Sequence, residues 1–171
     1  MTLYDDVFSA LDAAAVRYVV VGGVAVVLRG HARMTVDLDL VIDLAVAPAT
    51  AAIDALLSLG LLPRIPVNAH DFANPEVRSG WVEQRNLQVL SFYDPADLLR
   101  EVDVFAAYPL PWEELVRDAE TVRVGGLAVP VASIPHLIAM KQAAGRPQDL
   151  SDVAALRELL GGKQEGHSSD L

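Results

Sequence analysis

The sequence predicts an α+β (α/β-like) domain: a β-sheet flanked by helices, closed by a helical pair at the C-terminal end. Three observations carry this. Strand-like segments dominate the first two thirds of the chain and helical periodicity the last part. Of 171 residues, 53% are hydrophobic and 21% charged, enough apolar mass for one sizeable core. No internal repeat or low-complexity linker divides the chain. The expected partition is a core over residues 1–132, C-terminal helices over 133–160 packed on the same domain, and a loose tail over 161–171.

The elements follow in order. "LYDDVFSALDAAA" places Leu3, Val7, Leu11 and Ala14 at helical spacing and reads as a first helix. "RYVVVGG" is a β-branched strand ending in a glycine pair, and "VAVVLRGH" a short helix stopped by Gly30. "TVDLDLVID" is the next strand. "APATAAIDALLSLG" is a helix from about Pro48 with Gly60 as its stop. Residues 61–80, with three prolines and little periodicity, yield no assignment. "NLQVLSFY" and "LREVDVFAAY" read as two strands, and "PWEELVRDA" as a short helix with Pro111 suited to its first turn. "ETVRVGGLAVPVA" reads as a hairpin around Gly125–Gly126. "SIPHLIAMKQAAG" is a helix with Ser133 as N-cap and Gly145 as stop, and "DLSDVAALRELLGG" is the last helix.

Composition excludes several classes. The chain has no cysteine, which rules out disulfides, zinc–thiolate sites and thiol nucleophiles and fits a reducing cytoplasm. "YVVVGGVAVVL" is too short to span a bilayer, which takes roughly 20 apolar residues. The N-terminus is acidic early and lacks the basic region of a secretory signal. The expectation is a soluble cytoplasmic protein with no membrane partner. Thirteen basic residues against 23 acidic give a net charge of −10, unlike a general nucleic-acid binder, although a local basic patch or a bound cation is compatible with it.

The strand "TVDLDLVID" carries two carboxylates one residue apart. Side chains two apart on a strand share a face, so Asp37 and Asp39 project together while Val36, Leu38 and Leu40 point the other way. Like charges this close repel in a low dielectric, and are relieved by protonation or by a divalent cation. Asp103, in "REVDVFAA", is a third acid in a β-rich run. If its strand lies beside that of Asp37, three carboxylates converge on a patch suited to one or two Mg²⁺ ions. The alternative is an edge strand with its acids in solvent. The pair Gly22–Gly23, at a strand-to-helix turn, either admits a phosphate to the backbone or meets the needs of a tight turn. Neither a Walker loop nor a dinucleotide fingerprint is present.

Together these features are more specific. A strand, Gly22–Gly23, a short helix, "GHARMT" and then "VDLDL" resemble the opening motif of the polymerase-β-like nucleotidyltransferase superfamily. The most similar branch is the AbiEii-type one (type IV toxin and MenT-like). Gly22, Gly23, Arg33, Thr35, Asp37 and Asp39 match its motif, and Asp103 falls where it has a third carboxylate. Lys141, Arg146, Asp149 and Asp152 match a C-terminal lysine followed by R-x-x-D-x-x-D. The resemblance covers most of the chain and is thin over residues 44–85. It implies a mixed-sheet core and transfer of a nucleoside monophosphate from an NTP to an RNA, protein or small-molecule acceptor, with release of pyrophosphate. It implies Mg²⁺, replaceable by Mn²⁺, on Asp37, Asp39 and Asp103, with Asp103 activating the acceptor hydroxyl. It also implies nucleotide contacts from Gly22, Gly23, Arg33, Thr35 and Lys141, and an antitoxin protein as partner if the chain is a toxin. One departure is Gly22–Gly23 itself, where the wider superfamily often has Gly-Ser. Small antibiotic-modifying members are nearer this length than many toxins. A non-catalytic member that binds nucleotide or a partner protein is the alternative.

Several residues keep two readings. Thr35 shares the face of Asp37 if the strand starts early. Arg33 contacts nucleotide or pairs with an Asp. Lys141 meets a phosphate or snorkels to the surface. Arg146, Asp149 and Asp152 serve the site or mark a loop-to-helix junction. His31 is a site-adjacent candidate, His136 reads as helix surface and His167 as tail. Trp81 and Trp112 read as packing residues rather than base platforms.

Overall fold

The computed structural model describes residues 3–165. In chain order its elements are α1 (Asp5–Ala13), β1 (Tyr18–Val21), α2 (Gly22–Leu28), β2 (Asp37–Ile42), α3 (Val46–Ser58) and β3 (Leu62–Pro63). A 3₁₀ turn (Ala69–Ala73) precedes α4 (Pro75–Arg85), β4 (Val89–Tyr93) and β5 (Glu101–Phe105). Then come α5 (Trp112–Arg117), β6 (Glu120–Val124), β7 (Leu127–Val131), α6 (Ile134–Ala144) and α7 (Pro147–Glu165).

The strands form one seven-stranded mixed sheet in the order β3-β4-β5-β2-β1-β7-β6. β1 pairs antiparallel with β2 and parallel with β7, and β2 runs parallel to β5. β1 is an interior strand and wholly buried, which explains its unbroken apolar run: a strand covered on both faces has no solvent side to mark. Its neighbour β2 is fully buried only from Leu40 onward, so the acids sit at its open end. The core gathers Phe8, Leu11, Leu38, Leu40, Ile42, Ile53, Phe72 and Phe92, each no more than 2% exposed, and each such side chain contributes about 1.5–3 kcal/mol of burial.

Most expected elements form where the sequence places them. The Ser133 hydroxyl accepts from the His136 N–H to cap α6, and Gly145 ends it in a left-handed turn. Four details differ. The glycine pair opens α2 instead of closing β1. α3 starts two residues before Pro48. The last helix runs on through Glu165, so the expected tail from 161 begins inside it, and its remainder, with His167, lies outside the described residues. Residues 61–80 contain β3, the 3₁₀ turn and the start of α4. This last helix escaped the periodicity reading because only Arg78 and Trp81 of its residues are fully buried. Its signal was the cap: the Asn74 side chain accepts from the Glu76 and Val77 N–H groups, with Pro75 at the first helical position.

α1 packs on α3 and β7, α2 packs on β2 and α6, and α6 packs on α7. The helical pair is thereby brought against the end of the sheet where the acids lie. Trp81 and Trp112 are packing residues, each 7% exposed, with Trp112 stacked on Tyr108. Among the described residues no helix is long and apolar enough to cross a membrane.

Candidate active site

The register decides where the carboxylates go. On the paired strands β2 and β5, Asp39 lies opposite Asp103 and Asp37 opposite Glu101. Directly opposed side chains on neighbouring strands stand side by side, so four acids share one face. The other face is apolar: Leu38, Leu40, Val102 and Val104 are 0% exposed. β2 therefore sits inside the sheet, and the edge-strand reading of Asp37 and Asp39 fails. Glu101 was not anticipated. Its pairing with Arg64 spends part of its charge.

Asp37, Asp39 and Asp103 line a cleft of about 380 Å³, within the rough 300–1,000 Å³ range of small-ligand sites. Gly22, Gly23, Arg33, Thr35, Asp37, Asp39, Asp103 and Lys141 all border it. Arg146 and Asp149 join them, and Met34, Phe105, Leu137 and Met140 supply an apolar side. Thr35 reaches the cleft from the connecting segment, because β2 begins only at Asp37. His31 does not border it.

Each glycine of the pair has its own steric reason. Gly22 has a φ of +65°, and a Cβ there would also collide with the Asp39 carboxylate. A Cβ on Gly23 would collide with the Arg33 guanidinium and the Thr35 hydroxyl. The pair thus serves more than a tight turn. It lets three cleft side chains lie against the backbone.

Burial pushes the Asp39 carboxyl up to about 7, with Asp103 and Asp37 adding like-charge repulsion; a hydrogen bond from the Gly23 N–H and the charge of Lys141 counter this only in part. Asp103 is raised by burial and by Glu101 and Asp37, and its Oδ1 is buried with no hydrogen-bond partner. Asp37 is raised by burial and by Glu101.

Lys141 is not a surface lysine. Its side chain is 8% exposed and its Nζ lies 3.2 Å from Asp149 and 2.7 Å from Asp152, both 2% exposed. Arg33 Nε approaches Asp152 at 3.4 Å, so its pairing with an Asp is realised. Asp149 also caps α7, accepting from the Arg146 N–H and at 2.8 Å from Arg146 Nε. Burial pushes the Asp149 carboxyl up, but the hydrogen bonds from Arg146 and Lys141 outweigh it and hold it below the usual value. Asp149 and Asp152 thus do more than mark a helix start. The visible signal was R-x-x-D-x-x-D, whose acids recur one helical turn apart.

The donor set suits a hard divalent cation: three carboxylates on one face, mutually repelling, one with a free buried oxygen. Among the described residues, however, no three acid or histidine side chains already converge into an ion cage.

No family model and no curated protein sequence matches the chain. Its fold does match solved structures. The lincomycin-bound lincosamide antibiotic adenylyltransferase LnuA superposes with a TM-score of 0.60 at 12% identity, over 90% of this chain and 93% of that one. An antigenic nucleotidyltransferase-like protein from Paracoccidioides brasiliensis gives 0.55 at 20% identity, over 91% and 77%. The antibiotic-resistance factor ANT(2'')-Ia gives 0.50 at 12%, over 96% and 95%. At these identities the likeness is one of fold, and the chain has the nucleotidyltransferase-like fold.

Proposed function

We propose that this chain is a Mg²⁺-dependent nucleotidyltransferase that moves a nucleoside monophosphate from an NTP to an acceptor hydroxyl and releases pyrophosphate. One observation carries the reading: Asp39 and Asp103 face each other on adjacent strands, with Asp37 beside them, in a cleft whose other wall bears Arg33, Lys141 and Arg146. Asp37, Asp39 and Asp103 would hold Mg²⁺ (or Mn²⁺), which would supply charge neutralisation of the triphosphate and polarisation of its α-phosphate. Asp103, with a raised pKa and a free oxygen, is suited to take the acceptor's hydroxyl proton. The acceptor oxygen then bonds to the α-phosphorus as the bond to the bridging oxygen breaks. Arg33, Lys141 and Arg146 meet the charge of the phosphates, and Gly22 and Gly23 keep the floor low enough for them to approach.

For the acceptor, a small hydroxyl-bearing molecule is favoured. The cleft is of small-ligand size, and a net charge of −10 disfavours a grip on an RNA backbone. The AbiEii-type toxin role, with RNA or protein as acceptor and an antitoxin as partner, is the alternative. Labelled NTPs offered with small-molecule, total-RNA and total-protein pools separate these readings, and label entering RNA or protein alone would overturn the preference.

A second reading, a nucleotide- or partner-binding protein without catalysis, draws on the lack of a ready ion cage among the described residues. Mass spectrometry of products from wild type and Asp39→Asn decides. Transfer by the wild type and its loss in the variant support the enzyme, and transfer by neither supports the binder.

A further inference from the structure

Asp152 is not among the residues that line the cleft, yet it is the carboxylate on which the basic wall closes. It lies on α7 and is 2% exposed. Arg33 comes from the segment between α2 and β2, and Lys141 from α6. Asp152 meets both, at 3.4 Å and 2.7 Å, and so ties three stretches of chain around one corner of the cleft. Arg33 Nε, which lies at Asp152 Oδ1, and Asp152 Oδ2, which lies at Lys141 Nζ, are each buried without an aligned hydrogen bond, so charge is what holds the two pairs. On its other side Arg33 lies against Gly23, which has no side chain to displace it. Asp149 differs. It borders the cleft, touches Lys141 and Arg146, and has a helix to cap.

We propose that Asp152 is a positioning residue for nucleotide binding, holding Arg33 and Lys141 at the cleft wall where a triphosphate's charge is met. This rests on the nucleotidyl-transfer reading above. Electrostatics makes the idea sharp. Arg33, Lys141 and Arg146 against Asp149 and Asp152 leave the wall with one excess positive charge. Neutralising Asp152 raises that excess, so a residue that merely screened the cations would, once removed, let anions bind more tightly. A residue that places them has the opposite effect: the two cations repel, leave the wall, and binding weakens.

The test is calorimetric titration of ATP and of inorganic tripolyphosphate, each with Mg²⁺, into wild type, Asp152→Asn, Arg33→Ala and the double variant. Asp152→Asn is expected to weaken both ligands about tenfold, and by less once Arg33 is gone, when only Lys141 remains for Asp152 to hold. Tighter or unchanged binding in Asp152→Asn overturns the proposal, as does a penalty that is fully additive with Arg33→Ala. If Asp152→Asn does not fold, Asp152→Glu takes its place. It keeps the charge and displaces it by one methylene, so weaker binding is again expected and unchanged binding overturns the proposal. Binding of neither ligand by the wild type overturns the nucleotidyl-transfer reading and this one with it, whereas normal wild-type binding with an unaffected variant overturns this one alone.

Discussion

The two walls of the cleft use the same residue type in opposite ways. On the β2–β5 wall, Asp37, Asp39 and Asp103 crowd together, and none of them forms an ion pair among the described residues. Their pKa values rise. On the α6–α7 wall, Asp149 is only 2% exposed, yet it is matched by Lys141 and Arg146 and its pKa falls. Burial alone does not set the state of a carboxylate; its neighbours do. The paired wall balances its buried acids with its own cations. The unpaired wall carries an electrostatic cost that only protons or an added cation can relieve.

The comparison can be broken most directly at Asp39. Asp39→Asn should lower nucleotidyl transfer by roughly a thousandfold or more, followed as product formed, because it removes a central ligand to the reacting phosphates. The same change should raise stability at about pH 8, since it removes a buried like charge. A variant that loses stability there would contradict the account of this wall.

Lys141→Met should do the reverse. It leaves Asp149 and Asp152 buried without their shared cation, at a cost of about 3–5 kcal/mol in chemical denaturation. A loss below about 1 kcal/mol would mean that the network contributes little to holding the helical pair.

Next comes the glycine turn. Gly22→Ala should cost about 2–3 kcal/mol, from a left-handed backbone plus collision with Asp39. Gly126 also has a positive φ, of +89°, but nothing lies near its missing side chain, so Gly126→Ala should cost only about 1 kcal/mol. Equal losses would show that Asp39 moves aside freely.

The walls should also respond to pH with opposite sign. Asp39 titrates near 7 in the fold and near 3.8 when unperturbed, so between these values the folded state holds the extra proton. Its contribution to stability therefore falls as pH rises through that window. Asp149 is held below its usual 3.8, so its contribution is present above that value and is lost as pH falls through the lower folded one. Mg²⁺ needs the ionised carboxylates, so the rise in Tm that it produces should grow by roughly 3 °C or more from about pH 5 to 8. A Mg²⁺ effect independent of pH would place the ion elsewhere.

The smallest effect is expected at the exposed Arg17–Asp43 pair, whose arginine is 55% exposed. Asp43→Asn should cost less than about 1 kcal/mol and leave nucleotide binding unchanged.

Much of the site was legible because local chemistry is written in spacing. The period of two in "VDLDL" placed Asp37 and Asp39 on one face, and Ser133 and Gly145 bounded α6 by their capping chemistry. α4 was missed because its amphipathic signal is weak, and Asn74–Pro75 was the one cue left. The burial of Lys141 was missed too, since a lysine on a helix shows nothing of what packs over it.

The sequence by itself determined every strand but β3, most of the helices and the shared face of two carboxylates, all consequences of backbone periodicity over a few residues. Only the tertiary structure decided that β5 lies beside β2 in the register that sets Asp103 against Asp39. It alone decided that Gly22 and Gly23 are kept bare for Asp39, Arg33 and Thr35, and that Asp152 closes on Arg33 and Lys141. Those contacts join residues far apart in the chain. Their energies depend on which charges are buried together, and no local pattern encodes that.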